Sequence, residues 1–407
     1  MFLPVKIRSF FRTPPDNSAR AGCGSGGKCK VLPLSFMKSL RSLFAALLLA
    51  PLCVLLASAS PLPAADYASA GPCAVKIIAF PELFDQSRSA GPSPAGPVRR
   101  IIAARRGSGS STGRKIPIKI HFPEGAGASP VIVLSHGAGG DWDTHYAQAQ
   151  HLASHGYAVL CLEHVGSNRE RMTQGLRMMK NLEEMIHDSA EVLDRPKDVT
   201  FALDLAQSWN RSHRELSGKL DLTRVGAMGH SFGAFTTMVV CGMRPALDWL
   251  TPIVQPGKGL GPDQREKRIR CGVALSPQGV GEPFFLSESF RSLKVPLLGV
   301  SGTLDKQQNG LAADNRKEAF ALWPAGEHRF VWLQNAKHLD FTDSTGSERR
   351  ATPSPTREDV QPVTRAATLL FFDTHLKGDA EAGKKLTKAG IQPYLRGEVD
   401  SAEVLFK

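Results

Sequence analysis

The sequence lacks the residue patterns of several functional classes. Its seven cysteines show no spacing typical of a metal site. No nucleic-acid module and no basic stretch interleaved with aromatics accompanies the net charge of +12. The glycine-rich segments contain neither the lysine of a phosphate-binding loop nor a dinucleotide fingerprint. We therefore expect no metal or nucleotide cofactor and no nucleic-acid partner.

An apolar run long enough for a membrane span is also missing. The run from Phe44 to Ala57 has fourteen residues and contains Pro51, whereas a span needs about 20. Basic residues follow Met37, and small residues close the run at 57–59, which is the pattern of a secretory signal peptide. We therefore expect residues 1–60 to be a leader whose true start is Met37. The mature protein is expected to be secreted or periplasmic with no stable membrane span; an uncleaved anchor is the alternative.

After the predicted leader, the composition of the chain is that of an ordinary globular protein large enough to be an enzyme. Residues 1–60 contain eight Lys or Arg against one Asp, which leaves a net charge of +5 on the rest. Four cysteines follow the leader, and we expect them to be buried apolar residues rather than a particular disulfide. The predicted organisation is an N-terminal segment at 61–97, one catalytic domain at 98–378 and a charged tail at 379–407. The oligomeric state does not follow from the sequence.

Apolar runs alternate with helical patterns along the predicted domain. Two runs flank a Gly/Ser-rich turn and suggest a hairpin, and six more read as buried strands. Helices are predicted at 144–155, from a first turn at Pro196, and from a Thr356 cap to Gly378. The predicted strands are 98–106, 114–122, 130–135, 157–162, 224–228, 271–275, 295–300 and 329–333. This alternation predicts an α/β fold with a doubly wound, mostly parallel sheet and helices on both faces.

Two stretches interrupt the alternation, at 168–195 and 245–267. Because the active face of such sheets lies at the carboxyl ends of the strands, both insertions are candidates for a cap over a site. Surface helices exposed to solvent are the equal alternative.

The segment Gly229-His230-Ser231-Phe232-Gly233 carries the strongest chemical signal. It joins a predicted buried strand to a helix in the Gly-x-Ser-x-Gly pattern. The glycines let the chain turn sharply, because side chains there would collide with neighbouring backbone. We predict that the turn presents Ser231 as a nucleophile at a helix N-terminus.

A serine hydroxyl needs a base and an acid residue to become nucleophilic at neutral pH. Asp305 follows one predicted strand, and His338 follows the next. The chain order Ser231, Asp305, His338 is the order of nucleophile, acid and base in α/β-hydrolases. Asp340 and Asp343 follow His338 too closely to reach its far ring nitrogen, and we expect surface positions for both.

Backbone N–H groups must stabilise the oxyanion that forms in acyl transfer. The glycine-rich segment at 136–140 follows an earlier strand, so we predict that the N–H groups of Ala138 and Phe232 form the oxyanion hole. His136 and His230 lie within these motifs and are expected to be structural. His164 ends a strand on the same face and is predicted to line the substrate pocket.

These residues resemble the α/β-hydrolase superfamily, and more narrowly its platelet-activating-factor acetylhydrolase and dienelactone-hydrolase-like branches. The resemblance covers about residues 114–376 and is carried by the segments at 135–140, 229–233 and 270–275. It implies an α/β-hydrolase fold and a cofactor-free serine esterase acting on short or polar acyl groups of small-molecule esters.

The chain departs from the acetylhydrolase pattern at one point. The acetylhydrolases carry their catalytic aspartate where this sequence has Ser276-Pro277-Gln278. Asp305 instead resembles the acid of dienelactone-hydrolase and polyester-hydrolase relatives, with Glu282 as the fallback. Phospholipid specificity therefore does not carry over. The alternatives to an esterase are a peptidase or amidase using the same residues, and a catalytically silent binding protein.

Overall fold

The computed structural model describes residues 66–89, 113–125, 127–307, 310–343 and 354–407. The predicted leader at 1–60 and the strand-like run at 98–106 lie outside these residues. The strands are β1 (Val75–Phe80), β2 (Phe84–Ser89), β3 (Gly113–Lys115), β4 (Ile118–Pro123), β5 (Ser129–Ser135), β6 (Ala158–Leu162), β7 (Leu220–His230), β8 (Ile269–Leu275), β9 (Leu297–Leu304), β10 (Arg329–Lys337) and β11 (Ala402–Phe406).

The α-helices alternate with the strands from β5 onward. They are α1 (Tyr146–Ser154), α2 (Arg169–Met172), α3 (Met178–His187), α4 (Ser189–Ser212), α5 (Phe232–Val240), α6 (Asp314–Ala319), α7 (Pro355–Phe372), α8 (Ala380–Lys385) and α9 (Lys388–Ile391). Short 3₁₀ segments occur at Ser287–Ser292, Phe320–Leu322, His338–Phe341 and Gln392–Tyr394, and one π-helical turn at Asp373–Lys377.

Nine of the described strands form one mostly parallel sheet, as the alternation predicts. Their order is β1-β4-β6-β5-β7-β8-β9-β10-β11, and the strands from β6 through β10 are mutually parallel. Antiparallel strands close both edges: β4 and β1 at one, β11 at the other. The carboxyl ends of β5, β7, β8, β9 and β10 therefore lie along a single edge of the sheet.

Alternating side chains of the central strands fill two apolar cores. Val131 and Val133 of β5 pack in the core beneath α4 and α5, whereas Ile132 and Leu134 pack against α1 and α7 on the opposite face. A strand buried on both faces needs apolar residues at every position, which is why β5 reads as a continuous apolar run. The fold is thus α/β, with helices on both faces of the sheet.

Several predicted boundaries differ from the structure. The helix expected to begin near Pro196 begins seven residues earlier, at Ser189, because Asp188 caps it by accepting a hydrogen bond from the Ala190 N–H. Ser354, rather than Thr356, is the residue before α7. The run at 114–122 forms parts of two strands, β3 and β4, which pair with β2 and β1 respectively.

The residues predicted as a charged tail are part of the folded unit. β11 pairs with β10, and Ala382, Leu386, Ile391 and Val399 are buried in the core under α7. The many charged residues of this segment suggested a tail, because its apolar residues are spaced irregularly between short helices and show no period. At the other end, β1 extends the sheet with residues that the sequence placed before the domain.

The insertion at 168–195 contains α2, α3 and the first turns of α4, and the last turn of α3 reaches the edge of the sheet that carries Ser231. The insertion at 245–267 is irregular and meets α4 through an isolated bridge between Asp188 and Thr251.

The four described cysteines are all free thiols: Cys73, Cys161, Cys241 and Cys271. Among the residues described, no helix is both long and apolar enough to cross a bilayer.

Candidate active site

Ser231 lies in a strained turn between β7 and α5. Its φ of 56° and ψ of −117° are unfavourable for a residue with a Cβ, so tight local packing must hold them. A Cβ on Gly229 would overlap the backbone of Gly233, and a Cβ on Gly233 would overlap the carbonyl of Ser135. The two glycines are therefore required by space, and the turn projects the Ser231 side chain beyond the end of β7.

Three side chains from separate strand ends meet at this turn. Nε2 of His338 lies 3.0 Å from Oγ of Ser231, and Nδ1 of His338 lies 2.8 Å from Oδ1 of Asp305. Asp305 directly follows β9, and His338 directly follows β10. An imidazole that donates its Nδ1–H to the carboxylate leaves Nε2 free to accept the serine proton. The structure thus brings together the three residues that the sequence analysis selected as nucleophile, acid and base.

Asp305 is fully buried and is held as a carboxylate. Burial alone would raise its pKa, but Arg316 and His338 outweigh burial and hold the pKa of Asp305 well below its usual value. Its second oxygen, Oδ2, accepts a hydrogen bond of 2.7 Å from the Ser301 hydroxyl. The carboxylate therefore keeps both its charge and its orientation toward the imidazole.

Arg316 is a site residue that the sequence analysis missed. Its Nη2 lies 3.3 Å from Oδ1 of Asp305, and its Nε donates to the backbone carbonyl of Asp305. Its Nη1 donates to the carbonyls of Ser276 and Pro277, just beyond β8. A single buried guanidinium therefore ties the ends of β8 and β9 together. No motif marks it, because Arg316 reaches the site from α6 by side-chain length alone.

A small cavity opens beside Ser231. Its volume is about 30 Å³, room for no more than a few water molecules. The rings of Phe232 and Phe284 stack with centroids 5.3 Å apart and form one wall. The lining residues are Ile186, Ser231, Phe232, Gln278, Pro283, Phe284, Gln307, Arg316 and His338. Ile186 belongs to α3, so the first insertion contributes to the wall of this cavity.

The two predicted oxyanion donors lie in segments next to Ser231. Phe232 is the first residue of α5, where N–H groups have no intrahelical acceptor. Ala138 lies in the turn after β5, and its N–H has no acceptor within the part of the chain that the structure describes. The neighbouring N–H of Gly139 donates to the carbonyl of Ser167, which anchors the turn. Both amides are therefore available to a ligand.

His164 does not line this cavity, contrary to the prediction. Its side chain is fully buried, with Nδ1 2.9 Å from Oδ2 of Asp198 and Nε2 3.0 Å from Oγ of Ser135. Burial and the charge of Arg195 lower the pKa of His164 to about 3, so the ring is neutral. His164 does end its strand as predicted, but its ring points into the protein beneath the glycine-rich turn.

The other histidines of the motifs have structural contacts. Nε2 of His136 accepts a hydrogen bond from the His164 N–H, and Nε2 of His230 lies 2.9 Å from the carbonyl of His338. Asp340 is buried rather than at the surface, because its carboxylate accepts a hydrogen bond from the N–H of Lys337. Asp343 likewise accepts from the N–H of Ala147.

The fallback acid Glu282 lies away from His338. Its carboxylate contacts Nε2 of His187 at 2.9 Å, and about half of its side chain is exposed. The fallback interpretation therefore has no geometric support.

A comparison with curated proteins finds a distant relative. Platelet-activating factor acetylhydrolase of Cavia porcellus is 26% identical over 263 residues, which cover 57% of this chain and 52% of the relative. The match thus spans about half the length of that protein. No family model matches the chain. The similarity confirms the resemblance to the acetylhydrolase branch of the α/β-hydrolases that was inferred from the sequence.

Proposed function

We propose that this chain is an exported serine hydrolase with an α/β-hydrolase fold that cleaves small carboxylic esters. The observation that supports this most directly is the continuous hydrogen-bonded series from the Ser231 hydroxyl through His338 to the buried Asp305 carboxylate. The relatedness to an acetylhydrolase supports the same reaction class. Export is inferred from the signal-like pattern within residues 1–60.

In this proposal the protein acts by covalent catalysis. Ser231 attacks the ester carbonyl while Nε2 of His338 accepts its proton, and Asp305 stabilises the resulting imidazolium. The N–H groups of Phe232 and Ala138 bind the oxyanion of the tetrahedral intermediate. His338 then protonates the leaving alcohol, and a water molecule activated by the same imidazole releases the acid from the acyl-enzyme.

The cavity beside Ser231 favours short acyl groups. The stacked rings of Phe232 and Phe284 form one wall of a cavity of about 30 Å³, so a long alkyl chain would have to extend out of it or displace its walls. We therefore propose acetyl and similarly short acyl esters as substrates.

The test is active-site labelling combined with an ester series. A fluorophosphonate probe should modify Ser231, as mapped by mass spectrometry of the labelled peptide, and p-nitrophenyl acetate should be hydrolysed faster than longer acyl esters. Ser231→Ala should lose both properties. Ser135→Ala is the matched control, because Ser135 also contacts a histidine but is buried. Absence of labelling in the folded wild-type protein would contradict the proposal, and preference for peptide anilides over esters would favour a peptidase.

A further inference from the structure

Arg195 is a fully buried cation, and within the described part of the chain its hydrogen bonds all go to neutral oxygens. Its Nε lies 3.0 Å from Oγ1 of Thr236, its Nη1 lies 2.9 Å from Oγ of Ser167, and its Nη2 donates to the carbonyl of His136. Burial lowers the pKa of Arg195 to about 9, which still leaves it charged at neutral pH. A buried charge without a hydrogen-bonded carboxylate is energetically costly, so its presence calls for a physical reason.

The two carboxylates whose charges favour the protonated form of Arg195, Glu191 and Asp198, form their hydrogen bonds with other residues. Glu191 and Asp198 both accept hydrogen bonds from Arg114, and Asp198 also contacts His164. Arg195 therefore does not serve as the principal ion-pair partner of either group. Its three donors are directed at two other segments.

The first segment is the glycine-rich turn after β5. Arg195 donates to the carbonyl of His136, two residues before Ala138. It also donates to the hydroxyl of Ser167, whose backbone carbonyl accepts the N–H of Gly139. Arg195 thus contacts the turn directly at His136 and indirectly, through Ser167, at Gly139, and these two residues flank Ala138.

The second segment is the first turn of α5. The guanidinium carbon lies 4.4 Å from the centroid of the Phe232 ring, a cation–π geometry. Thr236, which accepts the hydrogen bond from Arg195, donates its own hydroxyl to the carbonyl of Phe232 at 3.0 Å. The same guanidinium therefore contacts both the ring of Phe232 and the residue that fixes its backbone.

We propose that Arg195 is a positioning residue that sets the spacing of the Ala138 and Phe232 N–H groups, so that both point at one oxyanion. This inference rests on the proposed function. Oxyanion stabilisation depends on donors that are fixed before the reaction, and misplacement by a fraction of an ångström weakens it. A planar guanidinium with three directed donors fixes two segments relative to each other better than a flexible ammonium does.

The experiment compares Arg195→Met, Arg195→Lys and the control Arg244→Met. Arg244 is a partly buried arginine that also donates to backbone carbonyls, those of Gly261 and Leu260, and it does not line the cavity. Folding is checked by circular dichroism and thermal melting. The readouts are kcat and KM for p-nitrophenyl acetate and the inhibition constant of trifluoroacetone. When Ser231 adds to this ketone, His338 takes the serine proton, and the carbonyl oxygen becomes a hemiketal oxyanion that would occupy the same hole.

Arg195→Met should lower kcat by about 100-fold with KM within about 3-fold of the wild-type value. The trifluoroacetone inhibition constant should rise in parallel with the loss in kcat/KM. The kcat and the inhibition constant of Arg195→Lys should lie between those of the wild type and those of Arg195→Met. Arg244→Met should behave as wild type. A purely structural role would lower the melting temperature while leaving the kcat of the folded fraction and the inhibition constant unchanged, and this result would overturn the proposal.

Two further variants keep the proposal testable if Arg195→Met does not fold. Ser167→Ala and Thr236→Val each remove one acceptor of Arg195, and each should lower kcat several-fold and weaken trifluoroacetone binding. Wild-type values of both quantities in both variants would overturn the proposal. Wild-type hydrolysis and labelling of Ser231 are measured first, so that failure of the esterase assignment itself is recognised separately.

Discussion

Acidification should destabilise this protein already between about pH 6.5 and 4, the range in which histidines of the unfolded chain bind protons. Burial lowers the pKa values of His136 and His230 well below 6.5, and five further buried histidines have low pKa values chiefly for the same reason. The values are about 4 for His121, His145 and His328, and about 3 for His151 and His164. Both ring nitrogens of His121 and of His145 lack a hydrogen-bond partner among the residues that the structure describes.

The direction follows from proton binding. Between about pH 6.5 and 4 the unfolded chain binds protons at these histidines and the native protein does not, so stability is lost as the pH falls through this window. Each histidine contributes a loss of about 1.4 kcal/mol between about pH 7.5 and 5.5, and the five together about 7 kcal/mol.

Buried carboxyl groups with raised pKa values act in the opposite direction. Burial raises the pKa of Asp343 to about 6, so the native protein binds this proton before the unfolded chain does. Protonation of Asp343 therefore stabilises the native protein by about 0.8 kcal/mol at about pH 5.5. Burial also raises the pKa values of Glu163 and Glu191. From the five histidines and these carboxyl groups we therefore expect a net loss of about 4 to 6 kcal/mol, a large part of the 5 to 15 kcal/mol typical of folded proteins. His136 and His230 act in the same direction as the five histidines and increase the loss.

The assay is urea unfolding followed by tryptophan fluorescence, at about pH 7.5, 6.5 and 5.5, with refolding controls. His121→Leu is the informative variant, because His121 lies in β4 and its ring nitrogens have no partner. The variant should lose about 1.4 kcal/mol less than wild type over this range. A wild-type change below about 2 kcal/mol, or an unaltered pH dependence in the variant, would refute the reasoning.

Three further predictions concern the site. Asp305→Asn should lower kcat for p-nitrophenyl acetate by about 1,000-fold or more, because an amide facing Nδ1 of His338 favours the wrong tautomer; a loss under about 10-fold would exclude Asp305 as the acid. Gly233→Ala should prevent folding, as measured by circular dichroism, because the added Cβ would overlap the Ser135 carbonyl. In the control Gly218→Ala the added Cβ contacts no atom, and its melting temperature should fall by only a few degrees. Phe284→Ala should raise kcat/KM for butyrate relative to acetate esters about 10-fold, and an unchanged ratio would remove Phe284 from the acyl wall.

The sequence predicted the residues that follow strand ends and missed those that reach the site from helices. Ser231, Asp305 and His338 each come directly after a parallel strand, so the fold class alone places them on one edge of the sheet. Arg316 and Arg195 lie within α6 and α4, and their guanidinium groups reach the site through four side-chain bonds. Strand topology constrains the first kind of residue but leaves the reach of a helical side chain undetermined.

The error about His164 shows a second limit of the same kind. A strand end fixes where the backbone lies, but the two faces of a sheet edge differ by one residue of register. His164 therefore lies near the strand end where the sequence placed it, but its ring points toward Asp198 and away from the cavity. The structure of the C-terminal segment could not be predicted from the sequence for a different reason. Its apolar residues are too far apart to show a period, yet they cover the core under α7 and supply β11.

The hydrogen bonds of His164 show that the same three residue types can meet without forming an active site. Ser135, His164 and Asp198 repeat the hydroxyl, imidazole and carboxylate series with distances of 3.0 and 2.9 Å, nearly those at Ser231. Ser135 lies within β5 and is almost completely buried, with no helix N-terminus following it. Hydrogen bonding alone therefore does not make a nucleophile; access and unpaired N–H groups beside the hydroxyl are also needed. Because only Ser231 has both, a fluorophosphonate should distinguish two serines whose hydrogen-bonded partners are the same.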